Sequence, residues 1–176
     1  CLRTGNVHEG LADLYLLVDD YHSAFNSSSL AFFNQLLPPN VFYLEVPFEG
    51  QTLRAKYAVL TLEDFRKGSG LWFHSYIWGR FSQRSGIIYT SGDSVTQQVQ
   101  ESMVNAVMTF VSKTLPQMES PFTARDLWAK GLSLSYRAEL RTEQADAAAR
   151  LFDNDPEYYQ KLTSSALHAV HDAVTE

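Results

Sequence analysis

Near Ser94 the spacing of apolar residues changes from alternation to a helical repeat, and that switch constrains the fold more than any other feature of the sequence. Before it, short apolar runs at 13–18, 41–46, 53–60 and 87–89 are separated by polar, Pro-containing or Gly-containing breaks, the pattern of strands. After it, Val95, Val99, Met103, Val107 and Phe110 recur at helical spacing behind a Ser94/Gln97 capping-box pattern, and the run stops before Pro116. A second helix is expected from Thr123. A third is expected at Asp155-Pro156-Glu157, where proline suits a first turn, with Tyr159, Leu162, Ala166, Val170 and Ala173 on its apolar face. These signals predict an α+β chain: a mixed or antiparallel sheet with helices over residues 1–92, then a mainly helical domain over 93–176, for which a winged helix is one form.

Within the first part, residues 13–18 read as a buried strand closed by Asp19-Asp20. A helix follows from Ser29 to Leu37 and is stopped by Pro38-Pro39-Asn40. The runs 41–46 and 53–60 flank Pro47-Phe48-Glu49-Gly50-Gln51 and predict a hairpin. Alternation puts Tyr43 and Glu45 on one face of the first arm, and Arg54 and Lys56 on one face of the second. If pairing sets those faces together, a carboxylate and two cations meet on one side of the sheet. A helix is expected to start over residues 63–67, with Gly68-Ser69-Gly70 as a break. The aromatic stretch 72–78 reads as core rather than a cofactor box.

Composition narrows the function. The chain has 176 residues, 45% hydrophobic and 19% charged, enough for one generous domain or two small ones. Its formal net charge of -6, from 14 basic and 20 acidic residues, argues against bulk nucleic-acid binding. With Cys1 as the one cysteine, an intramolecular disulfide is excluded, which fits a reducing compartment. No apolar run reaches the roughly 20 residues that span a bilayer, and no basic-then-apolar secretion signal stands at the start. The chain opens on Cys1 rather than Met, so further residues are expected before it.

The segment Gly5-Asn6-Val7-His8-Glu9-Gly10-Leu11-Ala12-Asp13-Leu14-Tyr15-Leu16-Leu17-Val18 resembles the signature region of polymerase-β-type nucleotidyltransferases, in which a Gly-Ser turn precedes a strand that opens on acids. Carboxylates there hold divalent ions that neutralise charge on the attacking and leaving oxygens, and backbone N–H groups of the turn approach the phosphates. Asp13 fits the first acid, but Tyr15 stands at the second acid's place and the Gly-Ser pair would lie before Cys1. One branch matches further. In the mitochondrial translocator assembly and maintenance protein family the strand runs from an Asp through apolar residues to Val-Asp-Asp, as in Asp13-Leu14-Tyr15-Leu16-Leu17-Val18-Asp19-Asp20. His22-Ser23, Asn40-Val41-Phe42-Tyr43, Leu53-Arg54-Ala55-Lys56-Tyr57-Ala58-Val59 (Ala58 where the family has Gly), Tyr76-Ile77-Trp78-Gly79-Arg80 and Leu134-Ser135-Tyr136-Arg137-Ala138-Glu139-Leu140-Arg141 resemble further family segments in the same order.

That resemblance implies a phosphatidate cytidylyltransferase, which makes CDP-diacylglycerol and pyrophosphate from CTP and phosphatidic acid with Mg²⁺, on the way to phosphatidylglycerol and cardiolipin. It implies peripheral work at a membrane surface, in the bacterial cytoplasm at the inner membrane or on the matrix side of the mitochondrial inner membrane. Asp13, Lys56 and Arg80 become catalytic candidates, with His22, Tyr57, Tyr136, Glu139 and Arg141 on substrate. Asp13 and Asp19, with Glu45 added from strand periodicity, are the candidate metal carboxylates. Each also has a plainer role: Asp13 as a strand-edge acid, Asp19 and Asp20 as helix caps, Lys56 as a solvated strand residue, and Tyr136, Glu139 and Arg141 as ties between modules. Two other functions stay open: a nucleotidyltransferase acting on a soluble small molecule or a protein, and a non-catalytic assembly protein of the same fold.

Overall fold

The computed structural model describes residues 11–138 and 145–175. The chain divides into two compact units, Cys1–Phe65 and Arg66–Glu176. In the first, β1 (Leu11–Val18), α1 (Tyr21–Ala24), α2 (Ser28–Leu36), β2 (Asn40–Phe48) and β3 (Gln51–Thr61) follow in order, and α3 (Leu62–Gly70) contains the division point. The fold is α+β, with a small three-stranded sheet ordered β1-β3-β2.

The sheet is mixed. β2 and β3 form the expected antiparallel hairpin, with Tyr43 opposite Lys56 and Glu45 opposite Arg54. Its tight turn places Glu49 at φ 48° and Gly50 at φ 76°, the two positive values that let the connection follow the right-handed twist of the strands. β1 lies on the other side of β3 and runs parallel to it, with Asp13 opposite Lys56. The expectation of a buried first strand fails: β1 is a sheet edge, and Leu16 is 48% exposed. β2 is the other edge, where Pro47, lacking an N–H, is tolerated.

Helices cover one face of this sheet. Tyr21, Ala31 and Val59 form its core, with Val18, Phe25, Phe42 and Tyr57 packed against them. Phe42 and Tyr57 stack with centroids 5.2 Å apart, and buried Asn34 donates Nδ2 to the Val59 carbonyl at 2.9 Å, tying α2 to β3. Asp20 caps α1, its Oδ2 accepting from the Ser23 N–H at 3.0 Å. Buried Tyr21 donates its hydroxyl to Asp64 Oδ2 at 2.6 Å.

The second unit holds α4 (Trp78–Phe81), α5 (Asp93–Thr114), α6 (Ala124–Ala138), α7 (Ala145–Asp153) and α8 (Pro156–Thr175). No strand occurs in it among the described residues, so nothing described forms the wing of a winged helix. Its core joins Trp78, Phe110, Val111, Leu127, Trp128, Leu132 and Phe152, with Phe110 stacked on Trp128 at 4.5 Å. Trp128 donates Nε1 to Thr163 Oγ1 at 2.8 Å.

Three local expectations are corrected. Residues 87–89 form no strand, and Ile88 and Tyr89 are each 85% exposed; a β-branched run without a pairing partner has no ladder to join. Gly68-Ser69-Gly70 is not a break, because α3 continues through Gly70. A Cβ at Gly68 would lie 2.7 Å from Ile77 Cγ1, so the glycine permits a close approach rather than ending the helix. The helix at Ser94 uses Gly92 as its N-cap with no side-chain cap bond, and Gln98 rather than Gln97 reaches back to Ser94. The α6 start agrees with the expectation: Thr123 and Asp126 bond reciprocally, Oδ2 accepting from the Thr123 N–H at 2.9 Å. In the aromatic stretch Ile77 and Trp78 are buried while Phe73 is 95% exposed.

Candidate functional site: an exposed charged sheet face

Strand alternation sorts the sheet's residues onto two faces. Helices α1 and α2 take the face of Phe42, Tyr57 and Val59. The other face carries Asp13 on β1, Arg54 and Lys56 on β3, and Tyr43 and Glu45 on β2, all five exposed. Asp13, Lys56 and Tyr43 form one row across the three strands, and Arg54 and Glu45 pair in the row beside it. Neighbouring strands lie about 5 Å apart and residues two apart along a strand about 7 Å, so these groups share a patch roughly 10 Å across. The sequence-based juxtaposition of one carboxylate with two cations is therefore present.

Glu45 is held at two points. Its Oε1 accepts from the Tyr43 hydroxyl at 2.6 Å and from Arg54 Nε at 3.0 Å. The Tyr43 hydrogen bond first, and the Arg54 bond second, hold the Glu45 carboxyl below its ordinary range. The same contact with Glu45 raises the Tyr43 hydroxyl and the Arg54 guanidinium. Among the described residues Lys56 makes no hydrogen bond or ion pair.

The three candidate metal carboxylates do not gather. Glu45 lies two strands from Asp13, with the cationic strand β3 between them. Asp19 follows the end of β1, roughly 15–20 Å along the chain from Asp13 at the rise of an extended strand. Among the described residues no three His, Cys, Asp or Glu side chains group as a metal site. The donor set on this face fits Mg²⁺ held by the Asp13 carboxylate, with substrate phosphates and waters as the remaining oxygens.

The other candidates stand on other elements. Tyr57, adjacent to Lys56 in sequence, points to the helix-covered face and stacks on Phe42, so it does not join Lys56. His22 is exposed on the short α1. Arg80 belongs to the second unit, on α4. Tyr136 is 6% exposed in that unit's core, and Glu139 and Arg141 lie outside the described residues. The segments 76–80 and 134–138 do meet each other: a Cβ at Gly79 would lie 2.3 Å from Ser135 Oγ, and Ser75 donates its hydroxyl to the Ser135 carbonyl at 3.3 Å. Gly79 thus serves a close helix approach. Arg54 was legible as one of two cations expected to meet a carboxylate; its one-to-one pairing with Glu45 came from the register.

No family model matches the chain, and a search of curated proteins finds no match. Among the described residues, no helix is long and apolar enough to cross a membrane.

Proposed function

We propose that this chain is a phosphatidate cytidylyltransferase that uses the exposed face of Asp13 and Lys56. The observation that carries the reading is the parallel register of β1 and β3, which sets a carboxylate directly beside a lysine on a solvent-facing surface. A phosphoryl-transfer site needs that combination, because two anionic substrates must be brought together while a divalent ion is held nearby. The sequence resemblance supplies the substrates, CTP and phosphatidic acid.

In this reaction a phosphate oxygen of phosphatidic acid bonds to the α-phosphorus of CTP as the bond from that phosphorus to the β-bridging oxygen breaks. Pyrophosphate leaves, and CDP-diacylglycerol remains. The attacking phosphate is already an anion, so charge placement matters more than a strong general base. Lys56 holds a phosphate of CTP as a point charge on a flexible stem. Asp13 would hold Mg²⁺ together with substrate phosphates, and the ion would supply neutralisation of phosphate charge. A lipid acceptor puts the work at a membrane surface, cytoplasmic at a bacterial inner membrane or on the matrix side in mitochondria.

The test is incubation of the protein with labelled CTP, phosphatidic-acid vesicles and Mg²⁺, scored for labelled CDP-diacylglycerol. Lipid-linked label that needs all three components supports the proposal. Label transferred instead to a water-soluble acceptor, or no transfer at all, overturns it.

A further inference from the structure

Arg54 and Arg125 both pair with acids, but they present the guanidinium differently. Arg125 engages Asp153 through two nitrogens, Nε at 2.7 Å and Nη2 at 2.8 Å, which uses the guanidinium fork in a two-point bond. Arg54 engages Glu45 through Nε alone. The Tyr43 hydroxyl also acts on the guanidinium, whose side chain stays 58% exposed, so terminal N–H donors remain accessible to solvent on an anchored group. Glu45 is itself fixed by the Tyr43 hydroxyl, which leaves the guanidinium tethered rather than swinging on its stem. Two residues along the same face stands Lys56, with three more donors and no partner among the described residues.

From this arrangement we propose that Arg54 and Lys56 together form a polyphosphate clamp, with Glu45 and Tyr43 acting as positioning residues for Arg54 rather than as ligands of metal or substrate. The inference rests on the reading of this face as a nucleotide site, and it names the ligand part as the chain of linked phosphates. Two cations whose Cα atoms stand about 7 Å apart along a strand, each on a long side chain, can reach different phosphates of one triphosphate chain, whereas a single compact anion engages one of them more readily than both. The planar fork of Arg54 takes two oxygens of one phosphate, and Lys56 follows the next as a mobile point charge. Holding the fork in advance lowers the ordering cost of binding.

The role assigned to Glu45 has a sign that separates it from mere proximity. A carboxylate beside a bound polyphosphate repels it, so neutralising Glu45 should strengthen binding if the residue does nothing else. If it positions Arg54, neutralising it weakens binding. The experiment is calorimetric titration of the full chain with inorganic triphosphate, with and without Mg²⁺, at one low ionic strength because exposed charges are screened by salt.

Arg54→Ala is expected to raise the Kd roughly 10- to 100-fold, and Arg54→Lys to recover only part of the loss. Glu45→Gln and Tyr43→Phe are expected to weaken binding roughly 3- to 10-fold in the presence of Arg54. In the Arg54→Ala background Glu45→Gln should give no further loss, the mark of a residue that acts through another. All five side chains of the face are exposed, so circular dichroism should show an unchanged fold. Tighter binding by Glu45→Gln, or an Arg54→Ala Kd equal to wild type, overturns the clamp. Loss confined to Lys56→Ala likewise overturns the clamp and leaves Lys56 as a phosphate residue acting alone. Triphosphate binding that depends on both cations, in a protein that does not turn over CTP, sustains the clamp and overturns the cytidylyltransferase reading.

Discussion

Replacing Gly131 with alanine sets two terms of opposite sign against each other in the second unit. In the interior of α6 an alanine is worth about 1 kcal/mol over glycine, because it loses less backbone freedom on folding. The added Cβ would stand 2.3 Å from Phe110 Cζ and 2.5 Å from Thr114 Oγ1. Carbon contacts need about 3.5–4.0 Å, so the ring would have to retreat by more than about 1 Å. It has nowhere to go: Phe110 is fully buried and stacked on Trp128, and Thr114 donates back to the Phe110 carbonyl at 2.7 Å. Overpacking of this kind costs about 1–3 kcal/mol, and the short distances put this case at the upper end. The net expectation is a destabilisation of about 1–2 kcal/mol, read as a lower urea midpoint with an unchanged slope by far-UV circular dichroism and tryptophan fluorescence. Gly70→Ala is the control, since a Cβ there would meet Thr109 Oγ1 at an ordinary 3.8 Å, and it should be neutral or slightly stabilising. Trimming the ring in Gly131→Ala/Phe110→Leu should recover part of the loss relative to the two changes added separately. A Gly131→Ala protein as stable as wild type would refute the close α5–α6 approach.

Tyr21 gives a pH prediction: burial first, and then its hydrogen bond to Asp64, push its hydroxyl well above the ordinary tyrosine value. The folded state holds that proton more tightly than the unfolded chain, so the contribution to stability is complete below about pH 10 and is lost as pH rises toward the folded value. Tyr21→Phe should therefore flatten the alkaline fall of the unfolding midpoint, and an unchanged slope would contradict it. Trp128→Phe should cost about 1–3 kcal/mol in chemical denaturation, from the lost bond to Thr163 and the space left in the core; no change would mean that the indole is not held there. Lys56→Ala should lower kcat/KM for CTP roughly 30- to 1000-fold and Lys56→Arg only part of that, with vesicle binding retained. Loss of vesicle binding with intact nucleotide binding would move Lys56 to the lipid side.

The features legible in the sequence are those that a local period dictates. Alternation alone placed Tyr43 with Glu45 and Arg54 with Lys56, and the hairpin turn at Glu49-Gly50 set the register that joined the two pairs. The same rule puts Tyr57 on the far face, a consequence that adjacency to Lys56 obscures. Helix starts at Thr123 and Pro156 were legible because capping chemistry is local.

Features set by distant partners were not legible. Gly68 looks like part of a break, and only the approach of Ile77 shows that it is a point of close packing. Residues 87–89 have strand composition, but the alternation says nothing of whether a neighbouring strand exists. The composition change near Ser94 also misses that α4 packs on α5 and α6, which places Trp78 in the helical core well before that point. For the candidate metal carboxylates, spacing along the chain could not show that β3 lies between Asp13 and Glu45.

The most direct test of the proposed site is turnover by Asp13→Asn, which keeps the shape of the side chain and removes its charge. With labelled CTP, phosphatidic-acid vesicles and Mg²⁺, formation of CDP-diacylglycerol should be abolished while circular dichroism and the urea midpoint stay at wild-type values, because Asp13 is an exposed residue on a sheet edge. Near-normal Mg²⁺-dependent turnover by Asp13→Asn would contradict the account and make Asp13 a structural acid.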